Sequence, residues 1–557
     1  AMATGTAAEP TSGAIEWQAE ADVVVCGSGS AGSMAALAAA KQGASVILLE
    51  KAAMWGGTSA KAGFHIWIPN NDDMASIGAQ DDRDQCLKFM AQHAYPHLFD
   101  PNSDTLGLPE RQYTLLATYY DNGRRTVRQI ADWDVVEFRV ARLGRQRIAA
   151  VDYNDNSPWN TVPVGRSMGP ITPNGRNTYG RYVVEQFRHA LRDSGVDIRM
   201  RHRALQLHHN AAGAVIGVAV QNDQGDTVNI RARRGVVFGS GCYSANRDYM
   251  TQFQMMPVMG SCAAPSNEGD FIAIGGAAGA QMGNLSGAWR AQVVLEDSIN
   301  YVSAPTAVFW PIGDSMFVVN KYGQRCLNEK RNYNDRTKGL FHYDSNKCEL
   351  PNLITFMVFD QRCADLYAGS YPIPHHPDAV EYIIKGDTLD ALAAAIRKRL
   401  ARHAAHTGNL ELDTHFEKNI GQTFARFNTM AKAGVDTDFQ RGEFAYDKAW
   451  HAMRDTNTDT DWNEPVNPDN ITMHPLQDEG PYYAIVLVPG CIGTNGGPVI
   501  NERAQVLDYR EQAIAGLYGA GNCIASPAAN AYWGGGTTIG SALICGHIAG
   551  EQVAAEP

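Results

Sequence analysis

ADVVVCGSGSAG, residues 21–32, is the stretch on which the architecture turns. Its first half, ADVVVC, is a short β-branched apolar run that reads as a buried strand, and GSGSAG leads from it into an alanine-rich helix reaching about residue 42. A second apolar strand at residues 44–50 closes on Glu50. Strand, glycine turn, helix and strand make the first βαβ unit of a dinucleotide-binding fold. Gly27, Gly29 and Gly32 supply G-x-G-x-x-G at the mouth of the helix. Lacking Cβ atoms, they permit the tight turn, the approach of a pyrophosphate and the packing of helix on strand. The helix start at Ser30 and Ala31 offers unpaired N–H groups to the anion. In a chain with 54 glycines this spacing is weak by itself. Glu50, with Lys51 beside it, lies about twenty residues on, where a carboxylate accepts hydrogen bonds from ribose hydroxyls, and that context secures the nucleotide site.

Outward from this unit, 557 residues exceed what one core usually organises, so two domains or an inserted domain are expected. Residues 196–230 alternate apolar and polar around turns at 210–213 and 223–225, which predicts an antiparallel meander; GVVFGSG at 235–241 then returns to the sheet. Between 288 and 479 the character changes to mixed strands and helices, with a helix over 389–403. After 480 glycine-rich strands resume, and GLYGAGN at 516–522 leads to a last helix over 538–553. The expected fold class is α/β: a Rossmann-like nucleotide-binding domain over 17–288 and 480–557, with an α+β catalytic domain inserted at 289–479.

The net charge of −12 forms no basic stripe, which excludes a nucleic-acid partner and leaves an apolar, neutral or cationic substrate. Ten cysteines without a CxxC pair or a Cys/His cluster read as reduced thiols, with no metal site. Residues 1–20 lack the charged and apolar regions of a secretory leader, and no apolar run reaches membrane-spanning length. A cytoplasmic protein is expected, with peripheral membrane contact left open.

GGTSAKAG at 56–63, GAGN at 519–522 and YWGGGTTIGSA at 532–542 together resemble the fumarate reductase and 3-ketosteroid dehydrogenase flavoprotein superfamily across nearly the whole chain. The resemblance implies FAD as cofactor. It implies that Gly57, Thr58 and Ser59 approach the flavin and pyrophosphate, that Gly239 and Ser240 flank the nucleotide, and that Gly521 and Asn522 lie at the ribose. Thr538 and Ile539 would start the last helix, whose positive end favours an anionic reduced flavin. Dicarboxylate-binding members carry an arginine beside the C-terminal glycine turn and a His-Pro-Thr stretch. Here Tyr532 and Trp533 stand at the turn and AWRAQVV at 288–294 has no His-Pro-Thr, although Arg290 remains as a candidate cation.

YWGGG at 532–536 is instead similar to the Y-x-G-x-G of 3-ketosteroid Δ1-dehydrogenases, with Trp533 in place of the usual proline. NEKRNYNDR puts Tyr333 after an Asn-Glu, and VDYND before GRS puts Tyr153 in the third tyrosine position of that family. Taken singly, a tyrosine is most often a half-buried core residue, and the chain has 22. The resemblance implies that Tyr532 and the Gly536 N–H polarise the C3 ketone of a 3-ketosteroid. Tyr333, assisted by Tyr153, takes the C2 proton, and flavin N5 takes the C1 hydride. Phe64, Ile66, Trp67, Trp310, Phe317, Phe356 and Trp533 are candidate apolar wall residues. Phe89, Met90, Tyr95 and Phe99 form an aromatic cluster in the long 81–124 segment that would line an extended pocket or rest on a membrane. The electron acceptor is not legible, a quinone being one candidate. Alternatives are a 3-ketosteroid Δ4-dehydrogenase, a reductase of unsaturated acids and a flavin-bearing carrier subunit; the last has no need of a proton-accepting tyrosine.

Overall fold

The computed structural model describes residues 15–307, 311–453, 456–457, 460, 462 and 467–557. Trp310 and residues 1–14, on which most of the leader reading rests, lie outside the described residues. Strand β1 (Ala19–Cys26) buries Val23, Val24 and Val25 completely at the centre of an eight-stranded sheet. Helix α1 (Ser30–Lys41) connects it to β2 (Val46–Glu50), which pairs parallel with β1 and with β3 (Asp197–Met200). The predicted meander follows as β4 (Arg203–His209), β5 (Val215–Gln221) and β6 (Thr227–Phe238). Its turns fall where the sequence puts them: the Gly213 N–H bonds the Asn210 carbonyl at 2.9 Å and that of Gly225 the Asn222 carbonyl at 3.1 Å. The end of β6 runs parallel between β1 and β7 (Ala513–Gly519), and the final helix α2 (Thr537–Ala554) packs on α1.

The parallel strands lie in the order β7-β6-β1-β2-β3, so the winding direction reverses between β1 and β6. Doubly wound sheets bind ligands in the crevice at the carboxyl ends of strands flanking such a reversal. Cys26 and Phe238 are those ends here, and Gly27 and Gly239 follow them.

A six-stranded sheet carries the inserted α+β part. Its long strand Tyr482–Thr494 is buried along nearly its whole length and pairs antiparallel with Ala288–Val294 and Thr355–Asp360. Helices Leu389–Arg402 and Phe416–Ala433 contribute to its core beside Phe317 and Phe356, so those two predicted wall residues are packing residues of this layer. A smaller sheet of Ile66–Trp67, Ser167–Ile171 and Glu137–Val140 covers the region between the two larger ones.

The aromatic cluster of the 81–124 segment does not line the cavity. Phe89 and Met90 are fully buried, Tyr95 and Phe99 pack against the main core, and none of the four lines the large cavity. The apolar area of Phe89 and Met90 is removed from water, and that of Tyr95 and Phe99 in part, by helices Arg83–Ala94 and Glu110–Asp132 and their neighbours. No described helix is long and apolar enough to cross a membrane.

Candidate active site

One cavity of about 930 Å³ runs from the β1/β6 crevice to a cluster of tyrosines. At the crevice the walls are backbone. Gly27 has φ +111°, and a Cβ there would overlap the Gly239 carbonyl, so the two turns touch only because both are glycine. Gly32 does not line the cavity; it packs on the Gly27 carbonyl and lets α1 approach β1. Gly29 begins α1 without a capping side chain, and a Cβ on it would meet nothing nearer than Ser59 Oγ at 3.7 Å. An uncapped helix start facing open space fits a phosphate. Ser30, Ala31, Gly57, Thr58, Ser59, Gly239, Ser240 and Gly521 line the same stretch, with Ser59 Oγ accepting the Ser30 N–H at 3.0 Å.

The buried Glu50 carboxylate is held by the Ser28 N–H at 3.0 Å, the Ser28 hydroxyl at 2.6 Å and the Ala52 N–H at 2.8 Å, at the cavity edge where a ribose would lie. Lys51 lines this edge too, its ammonium paired with Glu268 at 2.9 Å and Asp270 at 2.7 Å. Asn522 lines the cavity with its Oδ1 taking the Trp289 indole N–H at 3.1 Å. Thr538 and Ile539, in the first turn of α2, also face it.

At the other end three tyrosines from distant segments meet. The ring of Tyr153 stacks on Tyr532 at 5.1 Å and meets Tyr333 edge-on at 5.3 Å, and Tyr333 lies 5.4 Å from Tyr532. Backbone latches explain the meeting. The Tyr153 N–H bonds the Trp533 carbonyl at 2.9 Å, next to Tyr532. The Tyr153 carbonyl accepts from Arg331 at 2.9 Å and Asn332 at 3.2 Å, and Asn332 also caps the short helix Tyr333–Lys338. Arg166, between Asp81 at 2.6 Å and Asp152 at 2.7 Å, fixes the residue preceding Tyr153, and Asp152 also takes the Trp67 indole N–H.

Burial pushes the Tyr153 and Tyr333 phenols well above their ordinary range and raises Tyr532 as well. Tyr333 is held protonated further by the Tyr153 and Tyr532 phenols beside it. For Tyr532, donors at the oxygen oppose burial: the Tyr333 hydroxyl, the Thr538 hydroxyl and the Gly536 N–H. Donors therefore converge at the point where Tyr532 presents its oxygen. Gly536, at φ +104°, caps α2, and a Cβ on it would overlap the backbone of His65 and Ile66.

Of the predicted wall, Phe64 lines the cavity, whereas Ile66, Trp67 and Trp533 are buried behind it, Trp67 and Trp533 with ring centres 5.2 Å apart. Trp450, Met453, Ile492 and Tyr371 line it unforeseen, and Trp450 lies 5.8 Å from the Tyr153 ring. No local pattern singles out these residues; only the packing of the helix Ala445–His451 and its neighbours against Tyr153 does. Arg290 lies away from the cavity and bonds Gln254 at 2.8 Å, so it places no guanidinium between the tyrosines.

The chain matches the FAD binding domain family over residues 22–539. It is 29% identical to a 4-oxocyclohexanecarboxylate 2-dehydrogenase of Sinomonas cyclohexanicum, over 96% of this chain and 93% of the relative. It is likewise 29% identical to a 3-oxosteroid 1-dehydrogenase of Mycolicibacterium smegmatis, over 96% and 97% of the two chains. The fold is shared with the 3-ketosteroid delta1-dehydrogenase from Sterolibacterium denitrificans solved with 1,4-androstadiene-3,17-dione, at a TM-score of 0.78 and 24% identity, covering 96% of this chain and 99% of that one. With a glycine cradle at a sheet reversal that continues into a cavity, the chain belongs to the FAD binding domain family as an FAD-dependent oxidoreductase.

Proposed function

We propose that the chain is a 3-ketosteroid Δ1-dehydrogenase, introducing a C1–C2 double bond beside a ring ketone. The observation that carries this reading is the convergence of Tyr153, Tyr333 and Tyr532 on one cavity that continues into the cofactor cradle. The names of both relatives support it, since each denotes dehydrogenation beside a ring ketone.

In this reading Gly27, Gly29, Ser30, Ala31 and Gly57 to Ser59 hold the pyrophosphate. Glu50 and Asn522 receive ribose, and the first turn of α2 faces the flavin ring. Bound FAD supplies the hydride acceptor. Tyr532 O–H and Gly536 N–H take the ketone oxygen, and each such donor contributes about 3–4 kcal/mol to an enolate-like transition state. Tyr333 accepts the C2 proton. A buried phenol resists ionisation, so Tyr333 acts as a base only after its own proton has left to solvent, and a hydrogen bond donated by the Tyr153 hydroxyl would stabilise the phenolate that then takes the C2 proton. Residues 17–288 and 480–557 then hold the cofactor, and the substrate lies where Tyr153 and Tyr532 from those stretches meet Tyr333 of 289–479, with the strand Tyr482–Thr494 in the substrate-side sheet.

The test is anaerobic titration of the holoenzyme with 5α-androstane-3,17-dione, in which C1–C2 and C4–C5 are both saturated, and with 4-oxocyclohexanecarboxylate. Bleaching of the flavin with a 1,2-desaturated product supports the reading. Desaturation at C4–C5 moves the assignment to the Δ4 class, and a flavin that stays oxidised with both ketones refutes it.

A further inference from the structure

The substrate end of the cavity is not the charge-poor surface a neutral ring system calls for. In the small covering sheet Arg139 pairs directly with Gly169, and the register Ile66 to Met168, continued by one residue, sets His65 opposite Gly169 on the other side. A Cβ built on Gly169 would lie 3.4 Å from His65 Cδ2 and Nε2, which confirms that neighbourhood. Residues opposite one another in antiparallel strands point to the same face, and His65, Gly169 and Arg139 all line the cavity. An imidazole and a guanidinium thus flank a position with no side chain, across two strand spacings or about 10 Å.

The surroundings keep this row cationic. Arg142 and Arg147, from the adjoining turn, line the same cavity. Among its lining carboxylates on this side, Asp73 accepts the Val140 N–H at 2.6 Å. Glu137 pairs with Arg139 Nη2 at 2.9 Å, with both side chains more than half exposed. An exposed pair of that kind is worth little, and a guanidinium carries five N–H donors. Arginines concentrated at one cavity in a protein of net charge −12 need a reason. The row also adjoins the ketone position, because the Gly536 backbone lies against the backbone of His65.

We propose that His65, Gly169 and Arg139 form an anion subsite, and that the preferred substrate is a ring ketone carrying a carboxylate that rests over Gly169 between the guanidinium and the imidazole. This rests on the ring-ketone reading of the tyrosines. It departs from the apolar, neutral or cationic substrate that the overall charge suggests. Burial lowers the basicity of His65, and a carboxylate beside it would offset that.

The experiment compares kcat/KM for 4-oxocyclohexanecarboxylate with that for its methyl ester in the holoenzyme, then in Arg139→Gln, Arg139→Lys and His65→Gln, with flavin content and Tm checked for each. The acid should be preferred by about tenfold to a hundredfold, the range for hydrogen bonds to a charged group. Arg139→Gln and His65→Gln should each cut the acid-to-ester ratio about tenfold, mainly through KM, and Arg139→Lys should restore part of it. A ratio near one in the parent enzyme, or a ratio that neither variant moves, overturns the subsite. A parallel titration of the flavin spectrum with cyclohexanecarboxylate, which has no ketone to activate a neighbouring C–H, separates the two readings. If no ketone reduces the flavin but the carboxylate still binds in an Arg139-dependent way, the dehydrogenase reading fails and the subsite stands. Absence of both signals removes both.

Discussion

The two ends of the cavity recognise by different means. At the β1/β6 crevice the contacts are backbone groups and glycines from short contiguous stretches, Gly27 to Gly32 and Gly57 to Ser59, meeting the turn at Gly239. At the tyrosine end each group is a side chain from a different part of the chain: Tyr153, Tyr333, Trp450 and Tyr532. A backbone cradle is rigid because its geometry is that of the strand and helix that make it. The side-chain cluster depends on latches that cross hundreds of residues, such as the Tyr153 carbonyl held by Arg331 and Asn332.

If that contrast is right, the cradle should fail globally and the cluster locally. Gly32→Val drives a side chain into the Gly27 carbonyl and separates α1 from β1. It should cost roughly 4 kcal/mol or more, read as lost flavin absorbance per protein and a lowered Tm. A folded, yellow variant would break the comparison. Tyr532→Phe and Tyr333→Phe, by contrast, should each lower kcat about 10²–10³-fold with flavin retained, measured by stopped-flow reduction with a ring ketone.

Asn332→Ala sharpens the role of the latches. It removes both the cap of the Tyr333 helix and one bond to the Tyr153 carbonyl. A loss of about 1 kcal/mol in stability is expected, with a fall in kcat smaller than that of Tyr333→Phe; a loss as large as that of Tyr333→Phe would mean that the latch, and not the phenol, limits the rate.

The smallest effect is a pH dependence confined to the substrate side. Burial holds the His93 imidazole down to about 4 and His451 to about 3. Both pKa values lie below that of an unfolded histidine, about 6.5. Their neutral forms therefore contribute stability that is complete above that value and lost as pH falls toward 4. Tm should drop between pH 6.5 and 4, and His93→Gln should flatten the drop by roughly 2–4 °C. An unchanged slope would show that His93 does not report on this end.

Legibility in the sequence followed the same divide. ADVVVCGSGSAG and Glu50 were readable because a βαβ unit binds through residues adjacent in sequence. The tyrosines were found through family resemblance, and the structure brings those three together. Phe317, Phe356 and the 89–99 aromatics were misjudged as cavity wall because an aromatic residue in a core has the same local sequence as one lining a cavity. Trp450 gave no signal, as its role arises from a ring contact across roughly three hundred residues, an order of separation that no local pattern encodes.

By itself the sequence determined the first βαβ unit and its glycine cradle for a dinucleotide, since strand period, glycine placement and helix start act within some thirty residues. Tertiary structure alone decided the remaining lining of the cavity beside the tyrosines. The register of three short strands sets His65 and Arg139 on either side of Gly169, and a shift of one residue would turn those side chains to the opposite face.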